Sequence, residues 1–341
     1  MSRKKLIVGG GVALTLVVTA FVGVVVLTSS DGDKLTVYTA RSHYGDERPF
    51  EDYADDEGRD LTLFGGSASE LYERLESERE NTTADVLITV DGANLYRAQE
   101  AGLLAPLDSE QLRRNVPASL RDPQNRWFGI TTRARTVVRS KDRVRPDEIT
   151  TYEQLGDPRW NGKLCLRSAT SEYNVSLVAD RIAKDGLPAT ERMLERWMAN
   201  DPEILGSDTD VLKAIAGGRC DVGLTNSYYL GRELEDDPGF PVALVWADQS
   251  GRGTHVNVSG VGVVKGSDEQ GDAAELVQFL TAPRQQHLFA ANNHEFGVDE
   301  KVEPTKEIAR FGTFKRDPID VQGAGRNLGK AVQLMNQVGW N

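Results

Sequence analysis

Motifs of catalysis are missing from this chain. It has no Gly-x-Ser-x-Gly nucleophile elbow, no His-x-x-Glu-His type of run and no phosphate-binding P-loop. Of its 4 histidines, His255, His287 and His294 have no acidic or cysteine partner at the spacing of a metal site, and we expect them to be structural. The sequence therefore gives no support for an enzyme, such as a hydrolase that pairs a serine with a histidine.

Cysteine is also scarce, because Cys165 and Cys220 are the only two. No cysteine follows the N-terminal apolar run, so a lipoprotein anchor is unsupported. In an oxidising compartment an even pair suggests a disulfide, but two buried free thiols are nearly as common. Internal repeats and low-complexity segments do not stand out.

Basic residues are outnumbered by acidic ones, 40 against 52, and the formal net charge is −12. Because Arg3, Lys4 and Lys5 contribute +3, the rest of the chain carries −15. Such a surface argues against nucleic acid and suits cationic ligands, although a salt-adapted or merely soluble protein has the same balance. The length of 341 residues favours about two domains.

Residues 1–30 combine the basic start with an unbroken apolar run over 6–27. A run of roughly 22 residues is long for the core of a signal peptide and sufficient to cross a bilayer as a helix. The small residues at 28–30 lack a clean Ala-x-Ala cleavage site. We interpret residues 1–30 as an export signal or a retained N-terminal membrane anchor, with the globular part periplasmic or otherwise extracytoplasmic.

Short apolar runs alternate with helical patterns over the rest of the chain. Strands are predicted at 34–40, 61–64, 85–90, 163–167, 220–224 and 242–246. Helices are predicted at 50–57, 70–75 with Ser69 as its cap, 93–101, 177–184, 189–199, 273–280 and 283–291. This β-loop-α rhythm is typical of parallel, doubly wound α/β sheets.

Two long extended stretches, 127–138 and 255–264, are predicted to cross between lobes as hinge strands. The predicted lobes are 34–130 plus 260–305 and 131–257 plus 306–341. Two α/β lobes joined by two crossing strands enclose a cleft, into which ligand-binding loops at the carboxyl ends of strands would open.

Two adjacent phenols, Tyr228 and Tyr229, follow the predicted strand at 220–224. This position, where a strand gives way to a helix, favours a ligand-binding role, although paired aromatic rings more commonly pack at an interface. Phenolate oxygen is a ligand suited to a hard trivalent cation. His43, beside Tyr44 at another predicted strand end, adds a possible imidazole ligand, against the more usual capping or core role of a single histidine.

The spacing of the cysteines matches that of two of the tyrosines. Tyr173 lies eight residues after Cys165, and Tyr228 lies eight after Cys220. Neighbouring parallel strands lie about 4.8 Å apart, within the Cα separation that a disulfide accepts. If the two strands are neighbours in register, the cysteines meet and the phenols leave the same sheet edge; coincidence of spacing is the alternative.

Several short motifs together resemble the periplasmic ferric-iron-binding proteins of ABC importers, in order over most of the chain after about Lys34. They are Thr39-Ala40-Arg41-Ser42-His43-Tyr44, Ala84-Asp85-Val86, Thr132-Arg133-Ala134-Arg135, Arg167-Ser168 with Tyr173-Asn174, Asn226-Ser227-Tyr228-Tyr229, Asn257-Val258-Ser259-Gly260 and Asn292-Asn293-His294-Glu295-Phe296. The resemblance implies a two-lobed periplasmic-binding-protein fold, placed here after an N-terminal hydrophobic helix, that closes on Fe³⁺.

The same resemblance implies a metal site and partners. Its shared tyrosine ligands correspond to Tyr228 and Tyr229, and the branch with a His-Tyr pair and an extra tyrosine corresponds to His43, Tyr44 and Tyr173. Another branch uses a glutamate after the third strand, where this chain has Val90 and Asp91. The family often adds a small anion such as carbonate. The implied partners are ferric ion, an importer permease and its ATPase, and the receptor is expected to be a monomer.

Residues around the predicted site have weaker assignments. Ser168 and Thr170, together with Ser171, offer hydroxyl and backbone N–H groups to an anion. Arg133 and Arg232 could offset clustered phenolates, although an exposed arginine is the commoner case. A receptor of the same fold for a polyamine, phosphonate or other small solute, and a membrane-tethered iron sensor, stay open as alternative functions.

Overall fold

The protein was analysed as a computed structural model, which describes residues 24–27, 34–41, 48–299 and 301–341. Its strands are β1 Val24–Leu27, β2 Lys34–Thr39, β3 Asp60–Gly65, β4 Val86–Thr89, β5 Phe128–Ser140, β6 Leu164–Arg167, β7 Glu203–Leu205, β8 Val222–Asn226, β9 Val242–Val245, β10 Val256–Val263 and β11 Phe296–Gly297. Its α-helices are α1 Arg48–Glu57, α2 Ala68–Glu78, α3 Gly92–Glu100, α4 Glu110–Asn115, α5 Glu172–Asp185, α6 Leu187–Met198, α7 Asp208–Ala216, α8 Ser227–Asp236, α9 Gln270–Leu280, α10 Pro283–Asn293, α11 Lys306–Ala309 and α12 Val321–Gln337.

The first sheet is built around β2, which lies between β3 and β4 and runs parallel to both. β10 continues this sheet antiparallel to β4. Burial on both faces explains the near-continuous apolar character of 86–89, whose residues are all buried. The buried side chains between this sheet and helices α1, α9 and α10 form the first core, for example Leu35, Phe50, Ile88, Leu276 and Phe289.

The second sheet has β8 between β5, which is antiparallel to it, and β6, which is parallel to it. β7 extends this sheet parallel to β6. Helices α5, α6 and α12 cover it, and their buried side chains form the second core, for example Leu164, Leu177, Trp197, Leu224 and Trp340. Both sheets are therefore mixed, since the strands predicted as crossings run against the parallel strands beside them.

β5 belongs to both sheets and is the physical link between them. Its first half, as far as Ala134, pairs with β10, and its second half, from Arg135, pairs with β8. β10 stays in the first sheet, where its register against β5 shifts between Ser259 and Gly260. The two-lobed fold is as predicted, whereas the lobe boundaries 34–130 plus 260–305 and 131–257 plus 306–341 stay predictions.

Helix starts account for most differences from the predicted elements. α2 is capped by Ser67 rather than Ser69: Ser67 Oγ accepts from the Glu70 N–H at 3.2 Å, and Glu70 Oε2 accepts from the Ser67 N–H at 2.9 Å. This Ser-x-x-Glu capping box satisfies two backbone donors at once. α5 begins at Glu172 rather than near 177, so its first turn includes Tyr173.

The N-terminal prediction falls mostly outside the described residues. Val24–Leu27, the part of the apolar run that is described, is a strand antiparallel to β3 and not part of a helix. Its sequence Val-Val-Val-Leu explains this, because β-branched residues favour extended backbone. In the described ranges, no helix is both long and apolar enough to cross a bilayer.

Cys165 and Cys220 form a disulfide with a Cα–Cα separation of 5.8 Å, which confirms the predicted bridge. The predicted register is wrong, however. Cys165 in β6 pairs with Gly223 of β8, and Cys220 lies before that strand begins. The equal eight-residue spacing is therefore not what brings the phenols together.

Candidate metal centre

Tyr228 and Tyr229 lie in the first turn of α8, which begins directly after β8. Asn226, with extended backbone, is the residue before the helix, so no loop separates the strand from the two phenols. Tyr228 is fully buried and Tyr229 is half-buried, with ring centroids 4.3 Å apart and planes inclined by 32°. The adjacent rings therefore present both hydroxyl groups from one short segment.

Tyr173 approaches this pair from the first turn of α5. Its side chain is buried in an apolar cluster that includes Tyr38, Leu71 and Val90, and Tyr229 packs against the same cluster. Those three partners belong to the predicted first lobe, whereas both tyrosines belong to the predicted second lobe. The structure therefore brings the tyrosines together where the two halves of the chain meet.

A buried ionic network supports the tyrosines, and its roles were missed in the sequence. Asp208, fully buried, pairs with Arg135 at 3.2 Å and with Arg167 at 3.4 Å. Arg135 also donates to Asn174 Oδ1 at 2.9 Å and to Asn226 Oδ1 at 3.2 Å. Two guanidinium groups and one carboxylate leave one positive charge in this network.

The network reaches the phenols directly. Arg167 hydrogen-bonds Tyr229, and its guanidinium carbon lies 5.6 Å from the Tyr173 ring centroid. Asn226 Nδ2 lies 3.5 Å from the Tyr228 hydroxyl oxygen. The positive charge of Arg167 therefore lies where negative phenolates would form.

Electrostatics make the neutral phenol the resting form of Tyr229. Burial raises the pKa of Tyr229 well above its ordinary value, and nearby Tyr228 and Asp208 raise it further, whereas Arg167 opposes them. A neutral phenol is a poor metal ligand, so the pair needs a strongly polarising cation to lose its protons. This requirement favours a hard, highly charged ion over a weakly polarising one.

The two arginines predicted to support the site are both close to it. The Arg232 guanidinium carbon lies 5.1 Å from the Tyr228 ring centroid and 5.5 Å from that of Tyr229. Arg133 is buried, 5.9 Å from the Tyr173 ring centroid, and donates to the Val90 carbonyl. Neither arginine is largely exposed to solvent, which was the alternative expectation for both of them.

Glu295 holds Arg41, the last described residue before the predicted His-Tyr pair. Its buried carboxylate pairs with Arg41 at 3.0 Å and with Arg133 at 3.2 Å. Burial alone would raise the pKa of Glu295, but Arg133 and Arg41 hold it below its ordinary value. Arg41 comes two residues after β2, and His43 and Tyr44 themselves lie outside the described residues.

The predicted anion-binding hydroxyls are adjacent but turned toward each other. Ser168 Oγ lies 3.0 Å from Thr170 Oγ1, and it also accepts from the Thr170 backbone N–H at 3.3 Å. Thr170 faces a cavity that none of the three described tyrosines lines. Their role toward an anion stays a prediction.

Two carboxyl groups lie against the site from opposite halves of the chain. Asp91 caps α3 and is fully buried, and Glu172 precedes Tyr173. Burial raises the pKa of Glu172 to about 8, and the nearby Asp91 is the second cause. Burial also raises the pKa of Asp91. Each Asp91 oxygen accepts one bond from Asn94, and we do not assign Asp91 the place of the glutamate ligand of the other family branch.

The three histidines expected to be structural do not form a metal site. His255 Nδ1 is 3.2 Å from Asp180, His294 Nε2 is 3.0 Å from Glu235, and His287 is exposed. Among the described residues, the only grouping of three His, Cys, Asp or Glu ligand atoms is Cys165, Glu203 and Cys220. Both of its sulfur atoms are already in the disulfide, so neither cysteine offers a thiolate ligand.

The sequence contains little that indicates a role for the residues of the buried ionic network. Arg167, Asn174 and Asn226 each stand in a motif of the ferric-protein resemblance, but the residues alone gave them no role. Asp208 follows the serine cap of α7, an element absent from the predicted helices. A pairing of Arg135 with Asp208, 73 residues apart, has no local pattern in the sequence.

The chain is similar to known proteins over most of its length. A family model described as bacterial extracellular solute-binding protein matches residues 81–320. The chain is 40% identical over 322 residues to iron uptake protein A1 of Synechocystis sp., covering 92% of this chain and 89% of that protein. It is 38% identical to iron uptake protein A2 of the same organism, covering 100% and 99%.

Solved structures show the same likeness. The structure of Trichodesmium FutA (IdiA) in complex with iron and citrate ligands has a TM-score of 0.82 and 37% identity, with 91% of this chain and 100% of that chain covered. A ferric binding protein from Campylobacter jejuni has a TM-score of 0.85 and 31% identity, with 90% and 100% covered.

Proposed function

The chain belongs to the bacterial extracellular solute-binding protein family, and on that basis we propose that it is an extracytoplasmic receptor that captures Fe³⁺ for an ABC importer. The observation that carries the proposal is the meeting of Tyr173, Tyr228 and Tyr229 over the Arg167–Asp208 network. The iron-uptake names of its relatives and the iron in the FutA structure support the choice of metal.

We assign the ligand set to five residues. Tyr173, Tyr228 and Tyr229 supply phenolate oxygens, and His43 and Tyr44 complete the set from the loop after β2. Both residues follow β2 in the sequence, and β2 ends beside β4, where Thr39 pairs with Ile88. Five protein ligands leave one octahedral position, which a small anion such as carbonate would take with help from Ser168 or Thr170.

Arg167 and Arg232 would make phenolate formation possible in a buried place. A cluster of three or four negative oxygens is stabilised when guanidinium groups lie within hydrogen-bond distance or over the rings. Arg133 acts one step further away, since its charge is shared with Glu295. These side chains support the ligands and do not themselves bind the ion.

A titration with ferric citrate followed by visible absorption tests the proposal. Binding through phenolates produces a charge-transfer band, and Tyr228→Phe with Tyr229→Phe should abolish most of it while keeping ring packing. Tyr53→Phe is the matched control, because Tyr53 is equally buried but lies in α1 against Asp272. A double variant with wild-type ferric affinity would refute the ligand assignment.

Delivery to an importer is the second part of the proposal. We infer that the ferric-loaded protein, acting as a monomer, docks on a permease whose ATPase drives uptake. An iron sensor tethered by residues 1–30 would instead work without these partners. Deleting the gene should lower ferric uptake by intact cells, and normal uptake in that strain would favour the sensor.

A further inference from the structure

A cavity of about 710 Å³ lies beside the tyrosine site but is separate from it. Its walls come from the starts of α3 and α5 and from one face of α12. None of Tyr173, Tyr228 and Tyr229 lines it. Pockets of roughly 300–1,000 Å³ are of the size that holds a small organic molecule.

One wall of this cavity carries two carboxyl groups with unused hydrogen-bonding capacity. Glu172 Oε1 accepts from the Ala68 N–H at 3.0 Å, whereas Glu172 Oε2 is buried with no hydrogen-bond partner. One turn later, the Ser176 hydroxyl is also buried without a partner, and this side chain is only 2% exposed. Buried polar atoms are normally hydrogen-bonded, so two unpartnered atoms on side chains that line one cavity point to a ligand.

The second carboxyl group belongs to Asp91. Its two oxygens accept from the Asn94 backbone N–H at 2.8 Å and from Asn94 Nδ2 at 3.0 Å, and each carboxylate oxygen can accept a further bond. The one basic side chain of the lining, Arg97, already pairs with Glu73 at 2.6 Å. Arg133 lowers the pKa of both carboxyl groups from outside the lining, so the lining itself supplies no further cation to balance them.

The opposite wall is apolar. Leu328, Val332 and Met335 line it from α12, at the spacing of four and three residues that gives one helix face. Val332 is 45% exposed, although the valine side chain is apolar. A ligand that fits both walls has a positively charged end and a hydrocarbon portion.

We propose that this cavity binds an organic cation that carries one or two primary ammonium groups on a short aliphatic chain. An ammonium group donates three hydrogen bonds, which match Glu172 Oε2, Ser176 Oγ and an Asp91 oxygen. The methylene groups lie along Leu328 and Val332, where they cover apolar surface. This site uses none of the five proposed iron ligands, although Thr170, proposed to help hold the anion, also lines the cavity.

Calorimetric titration of the iron-free full-length protein with 1,4-diaminobutane at pH 8 and low salt tests the proposal. The diamine should bind with 1:1 stoichiometry, whereas 1,4-butanediol, which has the same length and no charge, should give no binding heat. Magnesium chloride serves as the second probe. Absence of diamine binding at millimolar concentration, or equal binding of the diol or of Mg²⁺, would overturn the proposal.

A variant whose new side chain fills the cavity provides the decisive test. A Cβ atom at Gly329, which lines the cavity in α12, meets no atom within 4 Å, so Gly329→Leu should place its side chain in the cavity without a clash. Leucine also has a higher helix propensity than glycine. Gly271→Leu is the matched control, because Gly271 in α9 has equally open space and does not line the cavity.

Gly329→Leu should weaken diamine binding by about tenfold or more, and Gly271→Leu should leave it unchanged. Glu172→Gln keeps the shape of the wall and removes its charge, so it should also weaken binding by about tenfold, the effect of a charged hydrogen bond. If Gly329→Leu does not fold, Glu172→Gln carries the test. Wild-type diamine affinity in a folded variant of either kind would contradict the assignment.

Discussion

At the scale of single residues, the candidate centre combines ligands that resist ionisation with arginines that favour it. Tyr229 is held neutral by burial and by Tyr228, and Arg167 hydrogen-bonds it. Because the neutral phenol must lose its proton when it binds a metal, ferric capture and proton release are coupled.

Ferric affinity should therefore fall steeply on acidification. Each phenol that ionises on binding contributes a factor of about ten in affinity per pH unit below its pKa, so the four proposed phenol ligands make a steep dependence. Competition with citrate between pH 8 and pH 5, followed by the visible band, measures the slope. A slope of one proton or fewer would mean that most of the tyrosines are not ligands.

Glu172 gives a second prediction, this time for stability. Its ordinary pKa is 4.5 and its folded-state pKa is about 8, so the folded state binds this proton more tightly than the unfolded state does. That advantage is complete below pH 4.5 and is lost as pH rises through 8. Glu172→Gln should therefore raise the midpoint of thermal unfolding more at pH 9 than at pH 5.

Melting curves of both proteins at the two pH values measure this difference. Glu233→Gln in α8 is a comparison, since burial also raises the pKa of Glu233, whereas Lys213 opposes this rise. An equal shift of Glu172→Gln at pH 5 and pH 9 would show that the carboxyl does not carry a bound proton in the folded state.

At the scale of elements, the site depends on helices that begin without a loop. α8 begins at Ser227 and α5 at Glu172, so Tyr173, Tyr228 and Tyr229 all lie in first turns. Their positions are fixed by helix geometry and by the strands before them. The disulfide holds the chain segments leading into both helices.

Removing that disulfide should lower stability without removing the site. Closing a loop over a separation of 55 residues contributes about 4 kcal/mol in the chain-entropy model, an upper value since native strain subtracts from it. The Cys165→Ser, Cys220→Ser double variant should therefore unfold at lower urea concentration and still give the visible ferric band. An unchanged urea midpoint would show that the bridge adds nothing to stability.

The sequence patterns predicted the secondary-structure elements better than they predicted the contacts between those elements. Apolar runs located β2, β3, β4 and β6 closely, because a buried strand leaves a local signature. α12 was missed because its polar and glycine-rich sequence, with Gly323, Gly325 and Gly329, resembles a loop. Gly325 is needed there because a Cβ would lie 2.3 Å from the Tyr96 ring, a constraint that arises only between packed helices.

For the same reason, only part of the candidate site was predicted from the sequence. The tyrosines were found because adjacent phenols at a strand end stand out in a sequence, and because the surrounding motifs resemble a known family. The Arg135–Asp208–Arg167 network could not be found from spacing, since its members are charged residues of ordinary appearance on three separate elements. Their burial, and therefore their importance, is a property of the fold.

At the scale of the whole molecule, the proposed ligands come from both predicted lobes, so binding should close the cleft. Glu172 accepts from the Ala68 N–H at 3.0 Å across this junction, a contact between 34–130 and 131–257. Hinge closure around a ligand is common in receptors of this architecture. The radius of gyration from small-angle scattering should therefore decrease when ferric ion is added.

The Tyr228→Phe, Tyr229→Phe double variant is the control for this measurement. It should keep the radius of the iron-free protein at every ferric concentration, because it lacks the ligands that pull the second lobe inward. An unchanged radius in wild type at saturation would count against a closing cleft.

The position of Trp340 has a consequence for the order in which the molecule assembles. Its ring is fully buried, 5.9 Å from that of Trp197, and its Nε1 donates to the Arg167 carbonyl at 2.9 Å. A residue near the end of the chain thus fixes the strand that carries Arg167. Such distant pairings form slowly. The second core is therefore expected to close late in folding, only after β6 and the segment around Trp340 have met.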